Sequence, residues 1–240
     1  MDQAARRRHA QVARYPVRPI PLLTCHRHMM NFWEALSALG DSRALLPLAA
    51  VLGLFLPTAH RPLRRRWMAA IAVVASATLA SKIAFMGWGL GVESLDFTGI
   101  SGHAAMSSTL YPVVFWLLAS GRSRHPWRWA VAGVVLAVAI AGSRLPLRAH
   151  SPSEIVAGLS LGLAASLWVL RNERKAAGLL AVRGAGAALA IAAAITVPTL
   201  LSDLHTHDLV KTTATWLSGR ERAMERHDLR SHRMPATRHH

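Results

Sequence analysis

Charge in this chain is segregated. Arg-rich patches at 61–66, 121–128 and 171–183 are separated by long apolar runs at 67–90, 104–120, 129–142, 155–170 and 179–201, and an earlier run at 44–59 carries Pro47. A soluble domain scatters charge over every surface element, whereas a chain that crosses a bilayer confines it to the loops. The runs are close to the ~20 residues that a helix needs to span the hydrocarbon core. They predict an all-α integral membrane bundle of about six transmembrane helices. No period-two alternation is present, which argues against a membrane β-barrel. With 52% hydrophobic and 17% charged residues the middle of the chain is too apolar for disorder. Cys25 is the only cysteine, which excludes a disulfide scaffold and a cysteine-rich zinc site.

The net charge of +16 invites a nucleic-acid reading. Only three of the basic residues are Lys (Lys82, Lys175 and Lys211), and the Arg clusters stand between apolar runs, where topology signals stand. The expected partner is therefore the bilayer and not nucleic acid. An Arg- and Ala-rich composition suits a GC-rich bacterial genome, hence a bacterial inner membrane. Three regions follow: a basic head at 1–32, a membrane domain at 33–201 and a polar, basic tail at 202–240. The head lacks the apolar core of about 7–15 residues that a cleavable signal peptide carries. Placing the three Arg patches in the cytoplasm puts the loops at 91–103 and 143–154 on the periplasmic or exterior side. The head and tail then also lie outside, and their basic character conflicts with that rule. A first or last helix lying in the interface relieves the conflict.

The two outward loops hold most of the polar chemistry. Lys82 comes fifteen residues after Trp67, ~22 Å along a helix and so near the outer end of its span. It either snorkels to the headgroups or serves as a functional cation. Ser101-Gly102-His103 opens an apolar helix. Ser101 suits the N-cap, Gly102 lets an anion approach the free backbone amides, and His103 brings a proton-transfer group beside them. A plain Ser cap with an interfacial His is the alternative. Ser143-Arg144 is followed by His150 and then Glu154. Arg144 offers a planar fork for phosphate oxygens, and His150 suits a nucleophile or base. Glu154 either fixes the tautomer of His150 or completes a capping box with Ser151, Pro152 lying between them at N1. The two roles are compatible.

In this order the three elements resemble the type 2 phosphatidic acid phosphatase family, the membrane relatives of vanadium haloperoxidases. That family carries a Lys followed after six residues by Arg-Pro, then Pro-Ser-Gly-His, then Ser-Arg, five residues, His, three residues and Asp. Here the third motif runs from Ser143-Arg144 through His150 to Glu154, with Glu in place of Asp; the second is Ile100-Ser101-Gly102-His103, with Ile in place of Pro. Lys82 begins the first motif, but Gly89-Leu90 stand where Arg-Pro is expected, and no Arg lies between 82 and 121. The resemblance covers roughly residues 40–172. It implies an all-α core and phosphate transfer through a phosphohistidine on His150, with Glu154 orienting it and His103 protonating the leaving oxygen. Lys82, Arg144 and the amides of Ser101 and Gly102 would neutralise the phosphate. It implies no metal or cofactor, and as substrate a lipid phosphomonoester or diphosphate. Loss of the Arg-Pro pair opens a second reading, a non-catalytic member that binds a phosphorylated lipid or a membrane partner. Arg148, in the loop of the third motif, is a candidate replacement for the missing guanidinium.

The remaining clusters carry less. Arg27 interrupts Cys25-His26-Arg27-His28, which has no partner pair. Asp203, His205, His207 and Asp208 follow the last apolar run, where a solvated boundary explains them as well as an ion does. His227, His232, His239 and His240 read as part of a polar tail. A transporter would need internal repeats or mid-membrane polar residues, and neither is visible.

Overall fold

The computed structural model describes residues 21–171, 173, 184–200 and 206–231. Lys175, Arg183, Asp203, His205, His232, His239 and His240 lie outside the described residues, as do the side chains of Cys25–His28 and most of the basic head. Nine helices are described: α1 (Pro21–Ala38), α2 (Ser42–Leu54), α3 (Arg61–Trp88), α4 (Gly102–Ala119), α5 (Pro126–Ser143), α6 (Pro152–Leu170), α7 (Gly184–Leu200), α8 (Thr206–Ser218) and α9 (Arg226–Ser231). Among the described residues the only β-type pairing is one isolated bridge between Val92 and Phe97. The molecule is an all-α membrane bundle. Met29–Leu54, Arg61–Trp88, Pro126–Ser143 and Pro152–Leu170 are long and apolar enough to cross a bilayer, and Gly186–Leu200 is a shorter apolar helix. Val73, Val131, Val135, Val156, Leu167, Ile191 and Ile195 stand exposed on these helices, as a lipid-facing surface requires.

Helix α4 is the axis of the bundle. Thirteen of its 18 residues are buried, among them Leu110, Val113, Trp116 and Leu117, which pack with Leu63, Trp67 and Val74 of α3. Its polar residues are accommodated by back-bonding within the helix. Ser107 donates to the carbonyl of His103 at 2.6 Å, Ser108 to Ala104 at 2.6 Å and Thr109 to Ala105 at 2.8 Å. A helix surrounded by others on all sides needs no apolar outer face, so its mixed composition is compatible with its place.

Helix α6 lies against α4 through a small-residue seam. A Cβ at Gly158 would meet the Ser101 carbonyl oxygen at 2.7 Å and Ala104 Cβ at 2.9 Å, and one at Gly162 would collide with Ser108 Oγ and the Ala105 carbonyl. Two glycines four residues apart let helix backbones approach this closely in a membrane. The seam brings the N-terminus of α6, with Glu154, beside the N-terminus of α4, with His103. On the other side Gly133 of α5 sits against the backbone of Tyr111 and Pro112. The functional end of the bundle thus gathers the α1–α2 turn, the end of α3, the start of α4, the α5–α6 loop and α8–α9. At the opposite end Arg66 of α3 forms an ion pair with Glu173, just past α6.

The segment after 202, expected as a polar tail, contains two helices that pack onto this functional end. Helix α8 lies along α3, with Gly87 against Ala214 and Ser218. The following turn is tied to the last carbonyls of α3: Arg220 Nε donates to Gly87 at 2.6 Å and Met224 N–H to Met86 at 2.8 Å. Helix α3 stops at Trp88 because Gly89 takes a left-handed conformation, φ 75°, and its N–H closes on the Phe85 carbonyl at 2.7 Å. This helix stop occupies the place where the resemblance led one to expect Arg-Pro.

Candidate active site

A cavity of about 650 Å³ opens at the functional end. It is lined by Lys82, Gly102, His103, Arg144 and His150, and also by Asp41, Arg43, Gly99, His207, Lys211 and Arg226. Six of the seven residues singled out from the sequence are therefore gathered here, five on the wall and Glu154 immediately behind it. Lys82 faces the cavity and not the lipid headgroups; its Nζ lies 4.0 Å from the point a Gly102 Cβ would occupy. Gly99 lets the loop before α4 cross directly over Lys82. It has φ 146°, and a Cβ there would sit 3.3 Å from Lys82 Cγ.

Ser101 is the exception. It holds the N-cap position of α4, but its hydroxyl makes no capping bond; it is buried with no hydrogen-bond partner. Its N–H donates to the Glu154 carbonyl at 3.2 Å, and the residue does not line the cavity. The first backbone bond of α4 runs from Ala105 N–H to Ser101, which leaves the amides of Gly102 and His103, two residues of the cavity wall, without a partner inside the helix.

Glu154 completes the capping box and also contacts His150. Its carboxylate accepts from the Ser151 N–H at 3.2 Å while Ser151 Oγ accepts from the Glu154 N–H, a complete capping box. The same carboxylate lies 2.6 Å from His150 Nδ1. It also accepts from Thr98 Oγ1 at 2.6 Å, from the Thr98 N–H at 2.8 Å and from Arg226 Nη2 at 2.8 and 2.9 Å. Glu154 is fully buried, and this set of donors satisfies it. With Nδ1 engaged, the tautomer is set so that Nε2 carries the lone pair. Burial pushes the pKa of His150 below its usual value of 6.5, against the opposing pull of Glu154, so the ring is neutral at pH 7.

Arg144 closes α5 and donates through Nη1 to Ser37 Oγ at 2.5 Å, while its Nε is buried without a partner. Burial draws its pKa down, with Asp41 acting in the opposite sense. Asp41 caps α2, accepts from the Arg43 N–H at 2.8 Å and pairs with the Arg43 guanidinium at 2.7 Å. Arg148 does not supply a second guanidinium: it is exposed, adopts φ 51° and is absent from the cavity wall. Arg226, missed in the sequence, lies there instead. Its neighbourhood reads as a solvated charge run, and the only signal against that reading is the apolar pair Ala223-Met224, both buried. His207 lines the cavity from α8, but no three His, Cys, Asp or Glu side chains converge as metal ligands among the described residues.

The PAP2 superfamily model matches residues 87–177, which include the second and third motifs. An uncharacterized 22.5 kDa protein in the cps region of Klebsiella pneumoniae is 43% identical over 146 residues, 60% of this chain and 70% of that protein. The chain belongs to the PAP2 superfamily. No solved structure matches it. Membership supports phosphatase-type activity on a phosphorylated substrate at a bilayer, and the cationic cavity is where this PAP2 chain can receive one.

Proposed function

We propose that the protein is a membrane phosphatase that hydrolyses a lipid phosphomonoester or diphosphate through a phosphohistidine. The observation that carries this reading is the 2.6 Å contact between His150 Nδ1 and the buried Glu154, in the wall of a cavity that also holds Lys82, His103 and Arg144. The two cations and the amides of Gly102 and His103 receive the phosphate oxygens, and they stabilise most where charge develops in the transition state. His150 Nε2 attacks phosphorus; the bond to the leaving oxygen breaks, and that oxygen takes a proton from His103. A phosphate dianion in the cavity favours the protonated form of His103. Water then attacks the phosphohistidine and gives its proton to His103; the phosphorus–nitrogen bond breaks, releasing phosphate and restoring His150. The reaction in this reading needs no metal, and the cavity faces the periplasm of a bacterial inner membrane.

The test is phosphate release by the detergent-purified protein from phosphatidic acid, phosphatidylglycerol phosphate and undecaprenyl diphosphate, with EDTA present. Release inhibited by orthovanadate is expected. His150→Ala should abolish it and leave no trapped phosphohistidine. His103→Ala should cripple turnover of the lipids and be partly rescued with an activated aryl phosphate, whose leaving group needs no proton although the attacking water still lacks its base. Wild-type release retained in His150→Ala would refute the mechanism. A wild type inactive on every lipid would favour the non-catalytic reading, which the helix stop at Gly89 in place of Arg-Pro already supports.

A further inference from the structure

Glu154 has a partner that the sequence motifs do not contain. Arg226, at the start of α9, places Nη2 at 2.8 and 2.9 Å from the two oxygens of the carboxylate. Its Nη1 donates to Asp96 Oδ2 at 2.6 Å and to the Asp96 carbonyl at 2.9 Å. One guanidinium therefore joins the carboxylate that holds His150 to the loop that precedes α4. Asp96 is left-handed, φ 48°, and both its carbonyl and its side chain are held by this contact.

The arm carrying Arg226 is itself anchored independently of Glu154. Asp228 is buried, accepts from Arg222 at 2.7 and 2.8 Å and from the Glu225 N–H at 2.9 Å, and is thereby held well below the usual carboxylate range. The bonds from Arg220 and Met224 to the end of α3 fix the turn before it. Arg226 thus approaches Glu154 from a prepared base, and an oriented guanidinium loses less freedom on pairing than a free one. Burial opposes its charge, but Asp96 and Glu154 outweigh that and raise its pKa above the usual value.

We propose that Arg226 is a positioning residue of the phosphatase site: it holds the Glu154 carboxylate against His150 Nδ1 and so keeps the nucleophilic nitrogen aimed into the cavity. The inference rests on the histidine-nucleophile reading given above. Without Arg226 the carboxylate keeps its bonds to Thr98 and Ser151 but loses the one donor that spans both oxygens, and the His150 ring gains freedom to turn. Misalignment of the nucleophile lowers the rate of the bound complex and leaves substrate affinity largely intact.

The experiment uses the full chain in detergent, with kcat and KM measured on whichever of phosphatidic acid, phosphatidylglycerol phosphate and undecaprenyl diphosphate wild type hydrolyses fastest, for wild type, Arg226→Gln, Arg226→Lys and Arg226→Ala, the last with and without added guanidinium. Removal of an outer partner of this kind costs about 10–100-fold. Arg226→Gln should lose about that much in kcat, with KM within about threefold of wild type. Arg226→Lys, a point charge without the fork, should fall between the two. Guanidinium should restore part of the kcat of Arg226→Ala, which a loss of fold would not allow. A kcat of Arg226→Gln within about twofold of wild type would overturn the proposal, and so would a loss confined to KM, which would make Arg226 a substrate ligand. Should Arg226→Gln and Arg226→Ala fail to fold, Arg226→Lys decides, and an undiminished kcat there overturns it. An active wild type with unaffected variants refutes the role of Arg226 alone; a wild type without phosphate release overturns the phosphatase reading and this role together.

Discussion

Glu154 starts helix α6 and contacts both His150 and Arg226, so substitutions there report on several contacts at once. Glu154→Gln retains a side-chain oxygen for the cap and removes the negative charge. In the proposed mechanism His150 attacks phosphorus as the neutral ring, and burial outweighs the pull of Glu154 to push its pKa below the usual 6.5. The acid limb of the kcat/KM profile should therefore fall below pH 6.5, with no loss from this group as the pH rises through 7. Removing the carboxylate charge removes an attraction that favours the protonated ring. In Glu154→Gln the limb should move to still lower pH while the plateau rate drops. A pH–rate profile of the two proteins checks this, and a limb that moves upward would contradict the assigned contact. The third motif was legible because its spacing places a histidine and an acid four residues apart across a helix start. Arg226 was not, because its contacts join positions 72 and 130 residues away in the chain and leave no local pattern.

At the scale of elements, the approach of α6 to α4 sets the distance between His150–Glu154 and His103. Enlarging either glycine of the seam should push the two halves of the site apart. Gly162→Val is expected to destabilise the bundle by about 1–3 kcal/mol, the usual cost of overpacking, and to reduce turnover more than the loss of folded protein accounts for. Thermal unfolding in detergent and activity per folded molecule separate the two effects. Equal activity in the folded fraction would mean that the seam does not align the site. Hydrophobic runs foretold these helices well, because burial in lipid demands long apolar stretches. They were silent on the seam, since glycine contributes little to hydropathy. They also gave no hint that α8 and α9 fold, because α8 is Thr-rich and its only described buried side chains are Val210 and Ala214.

For the whole molecule, the polar site groups gather at one end of the bundle, and the side of the membrane that this end faces would decide which leaflet supplies the proposed lipid substrate. In a Cys25-free background, Ser94→Cys and Leu145→Cys should react with a membrane-impermeant thiol reagent in intact cells, and Arg65→Cys and Arg124→Cys should not. All four positions are exposed, whereas Glu173, paired with Arg66, is buried and unsuitable. Reversed labelling would put the cavity in the cytoplasm. The basic tail that conflicted with this orientation is less basic in its folded part: residues 206–231 carry five Lys and Arg against four Asp and Glu. Long segments translocate largely regardless of charge. The docking of α9 also bears on how the protein is made. Ribosomes produce the membrane core first, and the segment that reaches Glu154 emerges only after α7. If Arg226 steadies His150 as proposed, a premature stop anywhere between Leu200 and Arg226 would leave a bundle able to insert but slow in the proposed reaction, so a half-made copy would sit in the bilayer nearly idle.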